Sequence, residues 1–270
     1  MTAWIFLRGL TRESRHWGGF PALFRREMPD AEVFMPDLPG NGRLNALRSP
    51  ADIGAMVARY RDILRVQGIR PPYFLLSMSL GAMVAAEWAT RHPEEMRGCV
   101  LIGTSFGGIS PFHRRLRPRN YATLLGLALP GMRDAAREAA VLRLTSRMAE
   151  GREGIVRDWS AWRREHPVSR ANALRQLWAA ARYRPPAQRP AVPLLVLTGA
   201  MDGLVDPACS RELARRWQAD YAEHSVAGHD LPLDDGAWVA RQVREWLLRQ
   251  RPQYQFPPYG AFSPRPAGPG

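Results

Sequence analysis

The sequence predicts an α/β protein: a mostly parallel central sheet, helices on both faces, and one long helical insertion. Three observations carry that reading. Short apolar runs alternate with amphipathic stretches at both ends of the chain, which argues for parallel strands buried on both faces and joined by crossover helices. The alternation is interrupted once, by a long stretch rich in Ala, Leu, Arg and Trp that contains no convincing strand. A length of 270 residues suits one core with a sizeable embellishment. With 46% apolar and 23% charged residues the chain has the material to bury such a core.

The strands are expected at 3–7, 32–35, 73–77, 98–102, 193–198 and 221–226. Helices are expected at 20–28, 51–67, 80–91, 207–217 and 236–250. In the last of these Trp238, Val239, Val243, Trp246 and Leu247 fall at helical spacing and read as a core-facing stripe. The core divides into 1–105 and 191–250, with residues 106–190 as a helical cap lying over it. The tail, 251–270, repeats Pro and Gly with little to bury and is expected to be disordered.

The net charge is +13, and every one of the 38 basic side chains is arginine. Such a surface attracts anionic partners in general. The arginines are spread along the chain without a basic run or a zinc-finger or RNA-binding signature, which argues against a nucleic-acid function. No segment has the 18 or so apolar residues of a membrane span, so no integral membrane segment is expected. The N-terminal apolar stretch is too short for a secretory leader, and two isolated cysteines, Cys99 and Cys209, are compatible with a reducing cytoplasm.

The chemistry concentrates at three places. Tyr73-Phe-Leu-Leu-Ser77-Met78-Ser79-Leu80-Gly81 runs a buried strand straight into a helix, with small residues two before and two after Ser79. A serine on so sharp a turn is held strained with its hydroxyl exposed, next to the positive end of a helix. Asp202 follows the strand expected at 193–198, and Asp206, just before Pro207, reads instead as a helix cap. Gly228-His229 follows the last strand, while His16, His92, His113, His166 and His224 lack such a setting.

These segments, in the order Ser79, Asp202, His229, resemble the α/β-hydrolase fold family over nearly the whole chain up to about residue 248. The resemblance is to serine esterases, including pimeloyl-[acyl-carrier protein] methyl ester esterases and related carboxylesterases. It implies a Ser79–His229–Asp202 triad acting on a small-molecule acyl ester, without a metal or other cofactor. The oxyanion hole it implies uses the backbone N–H groups of Leu10 and Leu80. Where the family usually reads His-Gly, this chain reads Arg8-Gly9, and Asp37 falls in a strand-exit turn with a structural role.

Other acyl bonds (thioester, lactone, carbon–carbon) are cleaved by family members with the same triad, and a noncatalytic binding protein on the same fold is a further alternative. Substrate choice is expected to lie with the cap, where Leu124, Leu125, Leu127, Leu129, Trp159, Trp162, Leu177 and Trp178 are candidates to line an acyl pocket. Arg133 with Arg137, and Arg143 with Arg147, fall four apart and suggest a basic helix face for an acidic acyl carrier protein, with Glu138 among the acids that interrupt it.

Overall fold

The computed structural model describes residues 2–128, 131–148, 150–186 and 188–250. Leu129 and the tail expected over 251–270 lie outside these residues. Six parallel strands form one sheet: β1 (Thr2–Leu7), β2 (Ala31–Phe34), β3 (Tyr73–Met78), β4 (Met96–Ile102), β5 (Leu194–Gly199) and β6 (Asp220–His224), in the spatial order β2-β1-β3-β4-β5-β6. Each predicted strand is present, with ends shifted by one or two residues.

The sheet is covered on both faces because successive strand residues point to opposite sides. Ile5, Leu7 and Leu75 pack with Met56, Tyr60, Leu64 and Trp88 from α2 (Ile53–Val66) and α3 (Leu80–Arg91), and with Leu213 and Trp217 from α9 (Pro207–Trp217). Trp4, Phe6, Phe74 and Leu76 pack on the other side with Phe20 and Phe24 of α1 (Phe20–Glu27) and Val239, Val243 and Trp246 of α10 (Leu231–Gln250). The final helix begins earlier than its periodicity predicts: Leu231 opens it, and Asp235, at φ −148°, kinks it into two segments.

Between β4 and β5 the described residues form five α-helices: α4 (Phe112–Arg115), α5 (Tyr121–Ala128), α6 (Asp134–Thr145), α7 (Arg152–Glu165) and α8 (Arg170–Arg182). Leu142 of α6 and Trp159 of α7 form a small core of their own. Arg143 and Arg147 do not share a helix face, because α6 ends at Thr145 and Arg147 turns back to donate to the carbonyls of Arg143 and Met201. Glu138 does not interrupt the outer face either, since it is buried and pairs inward with Arg12 and Arg163.

The chain moves from β1 outward to β2, then crosses back to β3 on the other side of β1. Loops leaving the carboxyl ends of β1 and β3 therefore diverge and leave a crevice, the place where open parallel sheets bind ligands.

Candidate active site

Ser79 stands in that crevice. It directly follows the fully buried β3, precedes the first residue of α3, and is itself only partly covered. Its backbone sits at φ 54°, ψ −115°, a conformation that costs roughly 1–3 kcal/mol for a residue with a Cβ. The turn closes only because α3 presses on β1: a Cβ at Gly81 would lie 2.4 Å from the Leu7 carbonyl oxygen. Glycine alone fits there. The Ser79 N–H donates to Ile102 at the end of β4 (2.9 Å), which fixes the turn against the neighbouring strand.

Leu80, as the first residue of α3, has an N–H with no acceptor inside the helix. The loop after β1 approaches from the other side, where a Cβ built on Gly9 would lie 3.3 Å from the Ser79 Cβ. Leu10 follows, and then Thr11 at φ 57°, an unusual conformation for a β-branched residue. Its N–H donates to Gln176 Oε1 (2.8 Å), on α8.

His229 and Asp202 meet from loops after β6 and β5. Nδ1 of the imidazole lies 2.7 Å from Asp202 Oδ2, with the two residues 2% and 1% exposed. A carboxylate only accepts, so Nδ1 carries the hydrogen and Nε2 keeps its lone pair. Asp202 Oδ1 accepts the N–H groups of Leu204 and Val205 at 2.8 and 2.9 Å, which orients the carboxylate from behind. The imidazole also backs onto β4, since a Cβ at Gly103 would lie 3.2 Å from Nδ1. Asp206 accepts from Ala208 N–H as the cap of α9, and Asp37 accepts from Ser14 and Arg43 N–H groups, so both serve the backbone.

Burial opposes a charge on His229, but the Asp202 carboxylate, its hydrogen bond and the Asp230 charge outweigh burial and hold the imidazole above its ordinary value; Arg8 pushes the other way. Arg8 is thus part of the site's electrostatics. Its guanidinium forms a buried pair with Asp230 through contacts of 2.7 and 3.3 Å and lies 4.8 Å over the Trp17 ring. The sequence marks Arg8 as a departure from His-Gly, yet it does not mark Asp230 as its partner. A charged residue directly after the histidine of a buried loop was the available signal.

Gln176 carried a fainter one: it lies one turn after Asn172 on a helix otherwise made of apolar residues and arginine. The helices between β4 and β5 clamp the loop after β1 in several further ways. Arg12 pairs with Glu138 and lies over Trp159; Arg15 pairs with Glu165 and lies over Trp162; His16 packs against both tryptophans. Of the pocket candidates, Trp159 is buried in this contact, whereas Leu177 and Trp178 are 47% and 56% exposed.

Residues 16–233 match the family model Hydrolase_4, described as serine aminopeptidase, S33. The chain belongs to this family. It is therefore an α/β hydrolase, and its parallel sheet with helices on both faces is that fold. Among solved structures it resembles esterase RhEst1 from Rhodococcus sp. ECU1013, at a TM-score of 0.75 and 19% identity over 92% of this chain and 90% of that one. A malate-bound thermophilic esterase from Thermogutta terrifontis is similar at a TM-score of 0.68 and 20% identity, covering 92% and 90%. Likenesses at this identity speak for the fold.

Among curated proteins, the biotin biosynthesis bifunctional protein BioHC of Teredinibacter turnerae is 23% identical over 275 residues, 92% of this chain but 45% of that protein. The chain spans less than half the length of the curated relatives it matches.

Proposed function

We propose that this hydrolase cleaves carboxylic esters through Ser79 as nucleophile, His229 as general base and Asp202 as the acid that orients the histidine. One observation carries the reading: a strained, partly exposed serine at the switch point of the sheet, whose N–H donates to Ile102, and a buried histidine that packs on the next residue, Gly103, with its Nδ1 held by a carboxylate. His229 Nε2 takes the Ser79 hydroxyl proton as the oxygen attacks the acyl carbon, and the Leu10 and Leu80 N–H groups receive the developing oxyanion. The protonated imidazole then gives its proton to the departing alkoxide. Water, deprotonated by His229, hydrolyses the acyl-enzyme and frees the serine. Each oxyanion donor contributes about 3 kcal/mol to such a barrier, so the loop after β1 matters as much as the nucleophile.

In this reading the helices between β4 and β5 are a cap that selects the acyl group and positions the oxyanion loop, to which they are bound by Gln176, Glu138 and Trp159. The test is hydrolysis of p-nitrophenyl esters of graded acyl length by the wild type and Ser79→Ala, with fluorophosphonate labelling alongside. Both signals vanishing in the variant supports the proposal; an unlabelled wild type points to a noncatalytic binder.

A narrower reading makes the ester one borne on an acidic acyl carrier protein. What favours it is a groove of about 610 Å³ between α6 and α7, floored by Ala139, Leu142 and Val156 and bordered by Arg143, Arg152, Arg157 and Arg164, with Glu153 as the sole carboxylate of its lining. Carrier binding through these arginines weakens as salt rises. Salt-independent binding counts against it.

A further inference from the structure

Helix α8 carries its polarity inverted. Asn172 and Gln176, one turn apart, face inward at 5% and 0% exposed. Their amides are fully engaged with loops of the core: Asn172 with the Ser49 N–H and the Leu47 carbonyl, Gln176 with Thr11 N–H, Asn41 and Ser49. Leu174, Leu177 and Trp178 share the opposite face at i, i+3, i+4 spacing and are 63%, 47% and 56% exposed. A helix on a water-exposed surface normally turns its apolar stripe inward. Here the inner face is claimed by backbone groups that need polar partners, and the outer stripe is left for something other than water.

The charges say what that is. Helix α8 contains Arg170, Arg175 and Arg182 and no carboxylate, and Arg184 follows it. Among the described residues none of these four enters an ion pair. Arg170 lies one turn before Leu174 and Arg182 one turn after Trp178, so the stripe is capped by a cation at each end; the Arg182 guanidinium stacks 5.1 Å over the Trp178 ring. Leucine with tryptophan, flanked by long cationic side chains that can reach outward, is the composition of an element lying in the headgroup region of a bilayer. The stripe is a single convex helix face, which a fluid lipid surface can mould around.

We propose that the outer face of α8 seats this protein on an anionic lipid bilayer. Leu174, Leu177 and Trp178 enter the boundary between headgroups and acyl chains, and Arg170, Arg175 and Arg182 meet the lipid phosphates. The inner face of the same helix holds Thr11, next to Leu10, so the seat lies on the back of the element that steadies the candidate site. The proposal stands whether or not the esterase reading does, because it concerns adsorption and not turnover.

The experiment is co-sedimentation of the full chain with vesicles of phosphatidylcholine plus phosphatidylglycerol and, separately, of phosphatidylcholine alone. Two variants accompany the wild type: Leu174→Gln/Leu177→Gln/Trp178→Gln and Arg170→Gln/Arg182→Gln. The wild type binds the mixed vesicles in preference to the neutral ones. Each arginine near an anionic surface contributes roughly fivefold to partitioning, so the arginine pair loses roughly 25-fold, and the apolar triple variant releases the protein altogether. Both variants keep the wild-type melting temperature and hydrolysis of a water-soluble ester, since the altered side chains face solvent. Wild type that stays in the supernatant with mixed vesicles overturns the proposal, as does a triple variant that binds like wild type. Capture of an acidic carrier protein that the triple variant loses, without any vesicle binding, reassigns the face to a protein.

Discussion

Replacing Arg8 by methionine removes one half of the buried Arg8–Asp230 pair and leaves the other half charged, 2% exposed and next to His229. Breaking a buried pair from one side typically costs 3–5 kcal/mol, about 6–20 °C in Tm for a domain of this size. The effect on activity has a definite sign. Asp230 raises the His229 affinity for a proton and Arg8 lowers it, so losing Arg8 alone raises it further. Only the neutral imidazole is a base; the acid limb of kcat/KM, already above the ordinary histidine value of about 6.5, therefore moves to higher pH in Arg8→Met. It moves to lower pH in Asp230→Asn. The double variant Arg8→Met/Asp230→Leu leaves no orphaned charge, so it recovers most of the lost Tm and returns the limb towards the wild-type position. Thermal unfolding and ester hydrolysis from pH 5 to about 9 read both quantities. Opposite single variants that leave the acid limb in one place, or a double variant no more stable than Arg8→Met, would refute the argument that this pair sets the charge state of the histidine.

Three further outcomes follow from the same geometry. Gln176→Leu strands the Thr11 N–H and the Asn41 Oδ1, each at a cost of about 1–3 kcal/mol, and frees the loop after β1 that is proposed to hold the oxyanion, so kcat falls about 10²–10³-fold with little change in KM while Gln176→Glu, which keeps the Thr11 acceptor, loses less; equal kcat in all three proteins sinks the idea. His16 is held neutral by burial and by the nearby Arg12 charge, so the unfolded chain takes up a proton below pH 6.5 that the folded one refuses; stability measured by urea titration falls as pH drops below 6.5, by at most about 1.4 kcal/mol per unit from this group, and His16→Gln flattens that slope. Gly81→Val drives its side chain into the Leu7 and Arg8 carbonyls, so the chain fails to fold or melts far below the wild type, whereas Ser77→Ala, at a buried hydroxyl without a partner, is neutral or slightly stabilising in calorimetry.

Local patterns in the chain were enough to read the strands and the helices that cross between them, most plainly at β3 and β5, where every residue is buried and a run covered on both sides of a sheet must be largely apolar; β6, half exposed and carrying Asp220, Glu223 and His224, has no such run. The same holds for the strand–serine–helix turn and the Gly-His pair, whose constraints act within a few neighbouring residues. The partnerships are different. That Asp202 reaches His229, that Arg8 meets Asp230 across 222 positions, and that Gln176 steadies Thr11 across 165 depend on which strand ends the sheet order brings together. Strand order is set by crossover connections over the whole sheet, and no local period records it. The inversion of α8 has the same origin. Its spacing shows two faces, but only the unsatisfied backbone of the loops beneath it decides that Asn172 and Gln176 turn inward and Leu174, Leu177 and Trp178 turn out.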